Sequence, residues 1–228
     1  MKTLIIIPAY NEGDNIERVV SRLITDYPQY DYIVINDGSK DNTETICRDK
    51  GYNYLSHPVN LGLAGAFQTG MKYALANDYD AAIQFDGDGQ HNPEYIAPML
   101  EKLNTGYDIV IGSRFIKGKK PKSMRMFGNN LVEAAIFLTT GKILHDTTSG
   151  MRLFNRSMIR ILAEETDMGP EPDTVSLLMK KGAKVAEIQA YMNDRIAGES
   201  YLTFSKSVSY MMRMMVSILI LQWFRKGK

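Results

Sequence analysis

The chain has 228 residues, 27 Lys+Arg against 26 Asp+Glu, 44% hydrophobic residues and one cysteine. At roughly 150 residues per domain, that is one large domain or two small ones, and its ordinary charged and apolar fractions exclude disordered and collagen-like architectures. The lone Cys47 excludes an internal disulfide framework and a four-cysteine zinc site and fits a reducing compartment, while a net charge of +1 is no footprint of a nucleic-acid binder.

From the N-terminus, short apolar runs alternate with helical patterns. Strands are predicted over residues 3–7, 32–36, 52–56, 81–86 and 109–112, and helices over 15–25, 43–49, 64–76 and 93–103. Asp14 is the expected N-cap of the first helix and Pro93 the first residue of the fourth. The apolar run at 4–7 stops at Pro8 and is too short for a signal peptide. Such alternation predicts an α/β fold, a largely parallel sheet with helices on both faces. Ligands of these sheets bind outside the carboxyl ends of the strands.

Three strands end in polar clusters. The first is followed by Pro8-Ala9-Tyr10-Asn11-Glu12, the second by Asn36-Asp37-Gly38-Ser39, and the fourth by Asp86-Gly87-Asp88-Gly89-Gln90-His91. One cluster of this composition is an ordinary turn. Three on one edge of a parallel sheet point to a site.

The character changes at Lys117. Residues 117–125 are basic, without an acid, and read as a loop carrying Gly118 and Pro121. A helix is predicted over 127–139, then the polar turn Asp146-Thr147-Thr148-Ser149-Gly150, a strand over 151–155, a helix over 173–181 after Pro170 and Pro172, and a strand over 184–191 leading to Asn193-Asp194-Arg195. The expected division is a catalytic domain over 1–200 and a C-terminal amphipathic helix within 201–228.

After Glu199 there is no acid. Lys206, Arg213, Arg225, Lys226 and Lys228 interleave with Tyr201, Phe204, Tyr210, Trp223, Phe224 and a run of Met, Val, Ile and Leu. No uncharged apolar run reaches the ~18 residues of a membrane span. A helix apolar on much of its circumference, with basic and aromatic ends, suits a membrane interface. Core packing or a homo-oligomer seam is the other use of such a Met-rich stripe.

Asp86 and Asp88, one residue apart at the end of an apolar strand, are expected to point the same way and to converge on one cation, with Gln90 adding a neutral oxygen and Gly87 allowing close backbone approach. Oxygen ligands suit Mg²⁺ or Mn²⁺, and the ion then neutralises a departing diphosphate. His91 is kept out of this shell. Asp37 and Glu12 are candidate acceptors for a base or ribose. The sequence holds no Gly-x-Gly-x-x-Gly, no Gly-Lys-Ser/Thr phosphate loop and no Gly-x-Ser-x-Gly, which argues against dinucleotide dehydrogenases, P-loop NTPases and serine hydrolases.

Together with Asn60-Leu61-Gly62 and Gly112-Ser113-Arg114, these motifs resemble family 2 glycosyltransferases of the GT-A fold, and more narrowly the polyprenyl-phosphate sugar synthases, the dolichyl-phosphate mannose synthases and bacterial undecaprenyl-phosphate relatives among them. The resemblance runs from Met1 to about Ser200. It implies a nucleotide-sugar donor, such as UDP-N-acetylglucosamine or UDP-glucose, a Mg²⁺ or Mn²⁺ cofactor, inversion at the anomeric carbon and a polyprenyl-phosphate acceptor. By position, Pro8, Ala9, Tyr10, Glu12, Asp37, Asp86, Gly87 and Asp88 hold the donor; Asp86, Asp88 and Gln90 hold the metal. Asp88, Arg114, Arg125 and Arg195 carry the catalytic charge, and Arg114, Arg125 and Asn129 face the acceptor phosphate. Relatives with a Pro-Glu-Pro stretch and Arg195…Gly198-Glu199-Ser200 imply a small integral membrane protein as partner, on the cytoplasmic face of the cell membrane.

The alternative is a cytoplasmic GT-A enzyme acting on a glycan or protein hydroxyl. A hydroxyl needs a general base within hydrogen-bond reach; a lipid phosphate is already an anion and needs arginines to position it. Relatives that use hydroxyls place a Glu-Asp pair before the late helix. Here Pro172 separates Glu171 from Asp173, so both are expected to position substrate or to cap the helix.

Overall fold

The computed structural model describes residues 1–117, 120–121, 124–166, 168–193 and 204–224, with the side chains at 124–125 and 204–208 outside the description. The strands are β1 (Thr3–Ala9), β2 (Asp31–Asn36), β3 (Tyr54–Ser56), β4 (Ala81–Gln84), β5 (Ile109–Ser113), β6 (Arg152–Asn155) and β7 (Val185–Gln189). They form one sheet in the order β3-β2-β1-β4-β6-β5-β7. All neighbours run parallel except β6, which is antiparallel to both β4 and β5.

The helices are α1 (Ile16–Asp26), α2 (Thr43–Asp49), α3 (Gly62–Ala76), α4 (Ile96–Asn104), α5 (Met124–Thr140), α6 (Arg156–Glu164), α7 (Pro172–Lys180) and α8 (Phe204–Leu219). They cover both faces because the central strands are apolar on both. In β1, Leu4 and Ile6 join the core with Phe67 of α3, Val132 of α5 and Ile159 of α6. Ile5 and Ile7 join the opposite core with Val20 of α1, Cys47 of α2 and Met99 of α4. Strand periodicity sends alternate side chains to opposite faces, and all four are fully buried.

Three expectations change. The N-cap of α1 is Asn15, not Asp14: the Asn15 and Ile16 amides bond the Glu12 carbonyl at 2.9 and 2.8 Å, so the turn closes one residue later. Helix α6 has no counterpart in the predicted elements. Its signal is the Asn155 cap, whose side chain accepts the Met158 amide, with Met158, Ile159, Leu162 and Ala163 buried on one face. Finally, β4 ends at Gln84 rather than at Asp86. Pro93 does open its helix, as the first residue of a 3₁₀ turn capped by the Asn92 side chain.

Helix α8 is packed onto the sheet's helical layer rather than standing apart. Met214 and Ile218 lie in the same core as Val132 of α5 and Leu178 of α7. Gly128 of α5 is needed there: a Cβ on it would lie 2.9 Å from Met211 Cγ. No helix among the described residues is long and apolar enough to cross a membrane.

Candidate active site

Because β1, β2 and β4 are parallel neighbours, the loops that follow them meet at one sheet edge. The Asp37 amide donates to the Ala9 carbonyl at 2.8 Å, extending the β1–β2 pairing into the loops. Asn11, at φ 56, donates its amide to Ser39 Oγ at 2.9 Å and accepts the Lys40 amide on Oδ1 at 2.8 Å. The Glu12 amide reaches Thr43 Oγ1, and its carboxylate accepts Asn15 Nδ2, both at 2.9 Å. Asp37 is buried, its Oδ1 accepting His57 Nδ1 and the Leu61 amide at 2.8 Å each. A Cβ on Gly87 would lie 3.2 Å from the Pro8 carbonyl. Pro8, Ala9, Glu12, Asp37 and Gly87 thus come together, and Tyr10 stands exposed beside them.

Asp86 and Asp88 both lie beyond the end of β4, in a turn rather than on the strand pleat. After Gln84 the Asp86 amide donates to His91 Nδ1 at 2.9 Å, so it leaves the sheet ladder. With Nδ1 accepting, the neutral ring carries its proton on Nε2, which lies 3.3 Å from Asp86 Oδ2. His91 is buried edge-on to Phe85 and grips Asp86 at both its amide and its carboxylate. It holds the aspartate rather than offering a free ligand. Asp88 is buried, its Oδ1 accepting the Gln90 amide at 3.0 Å.

No group of three His, Cys, Asp or Glu side chains with metal-binding geometry occurs among the described residues. Two carboxylates and an amide oxygen still fit Mg²⁺ or Mn²⁺, which take substrate phosphates and water as remaining ligands. The Asp86 side chain is 36% exposed, and no lysine or arginine ion pair to it occurs among the described residues.

On the other side of the edge lie the end of β5 and the turn entering β6. Arg114 forks onto Asp146: Nε to Oδ2 at 2.7 Å, Nη2 to Oδ1 at 2.8 Å, with the Arg114 amide also on Oδ2 at 2.9 Å. Burial works against the Arg114 charge, yet the Asp146 bonds and charge outweigh it and raise the guanidinium pKa above its ordinary value. The turn's far end comes up against Asp86: a Cβ on Gly150 would lie 2.9 Å from Asp86 Oδ2. Arg114 and Asp86 therefore belong to one site.

Asn129 does not face that opening. It is fully buried, its Oδ1 accepting the Thr147 hydroxyl at 3.0 Å and its Nδ2 donating to Glu133 at 2.6 Å. Lys120 of the basic loop also pairs with Glu133. Arg125 falls in the first turn of α5 with its side chain outside the described residues, as are Arg195 and residues 198–200.

Sequence reasoning missed two residues here. Asp146 stood in a polar turn that carries part of the family resemblance, with no role of its own. Arg152, on apolar β6, is 1% exposed, donating to the Pro170 and Thr147 carbonyls at 2.5 and 2.6 Å. Burial lowers its pKa, opposed by the charges of Glu171, Asp146 and Asp173. Asp173 lies in the first turn of α7 and is itself buried, its Oδ1 accepting the Thr174 amide at 3.0 Å and its Oδ2 the Ser217 hydroxyl of α8 at 2.5 Å. Burial, then the neighbouring Asp173 charge, raises the Glu171 pKa.

A mostly parallel seven-stranded sheet with one reversed strand, and an Asp-Gly-Asp turn at its carboxyl edge, define a GT-A glycosyltransferase. The chain belongs to glycosyl transferase family 2, whose profile matches residues 4–162. It is 35% identical over 182 residues to a UDP-N-acetylglucosamine–dolichyl-phosphate N-acetylglucosaminyltransferase of Methanococcus voltae, covering 71% of this chain and 72% of that one. It is 30% identical to an undecaprenyl-phosphate mannosyltransferase of Micrococcus luteus, over 89% of this chain and 88% of the relative. The fold matches a glucosyl-3-phosphoglycerate synthase of Mycobacterium tuberculosis, crystallised with Mn²⁺, UDP-glucose and phosphoglyceric acid, at a TM-score of 0.69 and 18% identity, covering 100% of this chain and 81% of that one.

Proposed function

We propose that the enzyme moves a sugar from a nucleotide sugar, UDP-N-acetylglucosamine or UDP-glucose, to a polyprenyl (undecaprenyl) phosphate at the cytoplasmic face of the cell membrane, for cell-envelope glycan synthesis. The named relatives that act on dolichyl and undecaprenyl phosphate support the acceptor class. The observation that carries it in this chain is the state of Asp173. Asp173, one of the two carboxylates that a hydroxyl acceptor would call on as a base, is buried and bonded to Ser217. An acceptor phosphate needs no such base.

In this reading Pro8, Ala9, Tyr10, Glu12 and Asp37 hold the nucleoside, and Asp86, Asp88 and Gln90 hold Mg²⁺ or Mn²⁺ beside the diphosphate. The bound ion supplies charge neutralisation to the leaving diphosphate. An acceptor phosphate oxygen attacks the anomeric carbon as the bond to the diphosphate breaks on the opposite side, which inverts the centre. Arg114, held by Asp146, contributes fixed positive charge beside Asp86; Arg125 and Arg195 are assigned to the two phosphates. Asn129 acts through Thr147 by holding the Asp146–Gly150 turn.

The membrane side is assigned to α5 and α8. Phe127, Leu131 and Leu138 on α5, and Met212, Val216 and Leu219 on α8, are exposed, as are Trp223 and Phe224 beyond it. Exposed apolar stripes of this extent mark contact sites. A small integral membrane partner would share this surface.

The test is a donor screen with Mn²⁺ and undecaprenyl phosphate, read by mass spectrometry. A glycolipid one sugar heavier is expected; transfer only to hydroxyl acceptors would overturn the reading. One observation favours the hydroxyl alternative: the raised Glu171 carboxyl has the profile of a general base. Transfer to a hydroxyl acceptor by the wild type, lost in a Glu171→Gln variant that still binds UDP, would support it. Flotation with anionic liposomes tests the surface, and Trp223→Asp with Phe224→Asp should abolish it. Deleting residues 205–228 is a poor substitute, because it strips Met214 and Ile218 from the core.

A further inference from the structure

Asp37 is reached by a segment that the proposed reaction leaves unused. The His57 amide donates to the Asn36 carbonyl at 2.9 Å, which brings the loop after β3 over the end of β2. Gly38, at φ +66, makes this approach possible, since a Cβ there would lie 2.7 Å from the Val59 carbonyl carbon and 2.8 Å from the Asn60 nitrogen. The His57 ring is then fixed at both nitrogens. Nδ1 meets Asp37 Oδ1 at 2.8 Å, and Nε2 meets Thr69 Oγ1 of α3 at 2.9 Å. A carboxylate only accepts, so Nδ1 is the donor. The Leu61 amide donates to the same Oδ1 at 2.8 Å. Both acceptor positions of Oδ1 are filled, and neither bond involves Oδ2.

We propose that His57 is a positioning residue that sets the donor base, by committing Asp37 Oδ1 and leaving Oδ2 alone to read the nucleobase. This inference rests on the nucleotide-sugar reading and deepens it. A uracil edge presents one N–H between two carbonyls, which a single carboxylate oxygen satisfies. A guanine edge presents two adjacent donors, which ask for both oxygens of a fork. At Asp37 the second guanine donor would be left without a partner, and an unpaired polar group in a closed site is a strong discriminator.

Calorimetric binding of UDP and GDP to the intact protein with Mn²⁺ tests this without turnover. The wild type should favour UDP by about tenfold or more. His57→Leu empties one of the two acceptor positions of Oδ1 and leaves the carboxylate held there by the Leu61 amide alone, so UDP should bind more weakly and GDP more tightly, and the preference should fall at least about fivefold. His57→Asn keeps a donor near the Nδ1 position and should restore much of the preference. Thr69→Val, which removes the Nε2 contact together with the hydroxyl's bond to the Gly65 carbonyl within α3 and leaves the Nδ1 bond to Asp37, should lie between. A merely structural role would weaken both nucleotides together. An unchanged preference in a His57→Leu variant that melts cooperatively, or a wild type that prefers GDP, would overturn the proposal. A wild type that binds neither nucleotide would overturn the donor reading itself, which separates the two failures.

Discussion

The two halves of the site edge are built by different means. On the proposed donor side, short loops lock through backbone amides and small polar side chains: Asn11 with Ser39 and Lys40, Glu12 with Thr43, Gly13 with Asp41. On the proposed acceptor side, charges are wholly or partly buried and tied across the fold: Arg114 to Asp146, Arg152 to Thr147 and Pro170, Asp173 to Ser217. A lost amide–hydroxyl bond near the surface is replaced by water. A buried charge or carbonyl stripped of its partner is not, and the desolvation penalty then stands in full. The acceptor half should therefore be the half where stability and function are hard to separate.

The Asp86–Asp88 turn, the proposed metal site, should show the largest effect and the cleanest separation. Asp88→Asn keeps the oxygen that accepts the Gln90 amide but removes the charge. Turnover should fall about 10²- to 10³-fold while the urea midpoint barely moves; an equal loss of stability would erase the contrast between the halves. Next comes Arg152→Leu, which leaves two buried carbonyls unpaired. It should lose about 3 kcal/mol in urea unfolding, and turnover should fall with it because the Asp146–Gly150 turn is released.

Ser217→Ala removes the hydroxyl on Asp173. A bond to a charged group is worth about 1.5–3 kcal/mol, so a loss of about 1.5 kcal/mol is expected. Unchanged stability would show that α8 is held by its apolar contacts alone. The smallest effect is a change of slope. The Glu171 pKa is raised in the folded protein, so the folded state binds that proton more tightly than the unfolded chain. Stability then falls as pH rises from the ordinary carboxylate range through the raised value. Glu171→Gln should flatten the profile across that window; a profile as steep as the wild type's would assign the slope to other groups, Glu133 first, whose pKa burial also raises.

The same contrast explains what could be read in advance. The donor half was legible because its information is local. Short continuous apolar runs mark β1 and β2, and Gly, Asn and Asp immediately after them mark the loops. Even there, adjacency misled at Asp86: a ring five residues later, His91, takes its amide and ends the strand. The acceptor half depends on pairs 18 to 44 residues apart, such as Arg152 with Pro170 and Asp173 with Ser217, which no spacing rule announces.

Sequence by itself determined the alternation of strands and helices, the polar loops at three strand ends and the Asp-Gly-Asp turn, since each follows from residue type and short-range period. Only the tertiary structure decided that Asn129 is sealed away, that Arg114 is forked onto Asp146, that His57 reaches Asp37, and that α8 buries one face while exposing the other. Those outcomes depend on which distant groups share a low-dielectric interior, where every donor, acceptor and charge must find a partner.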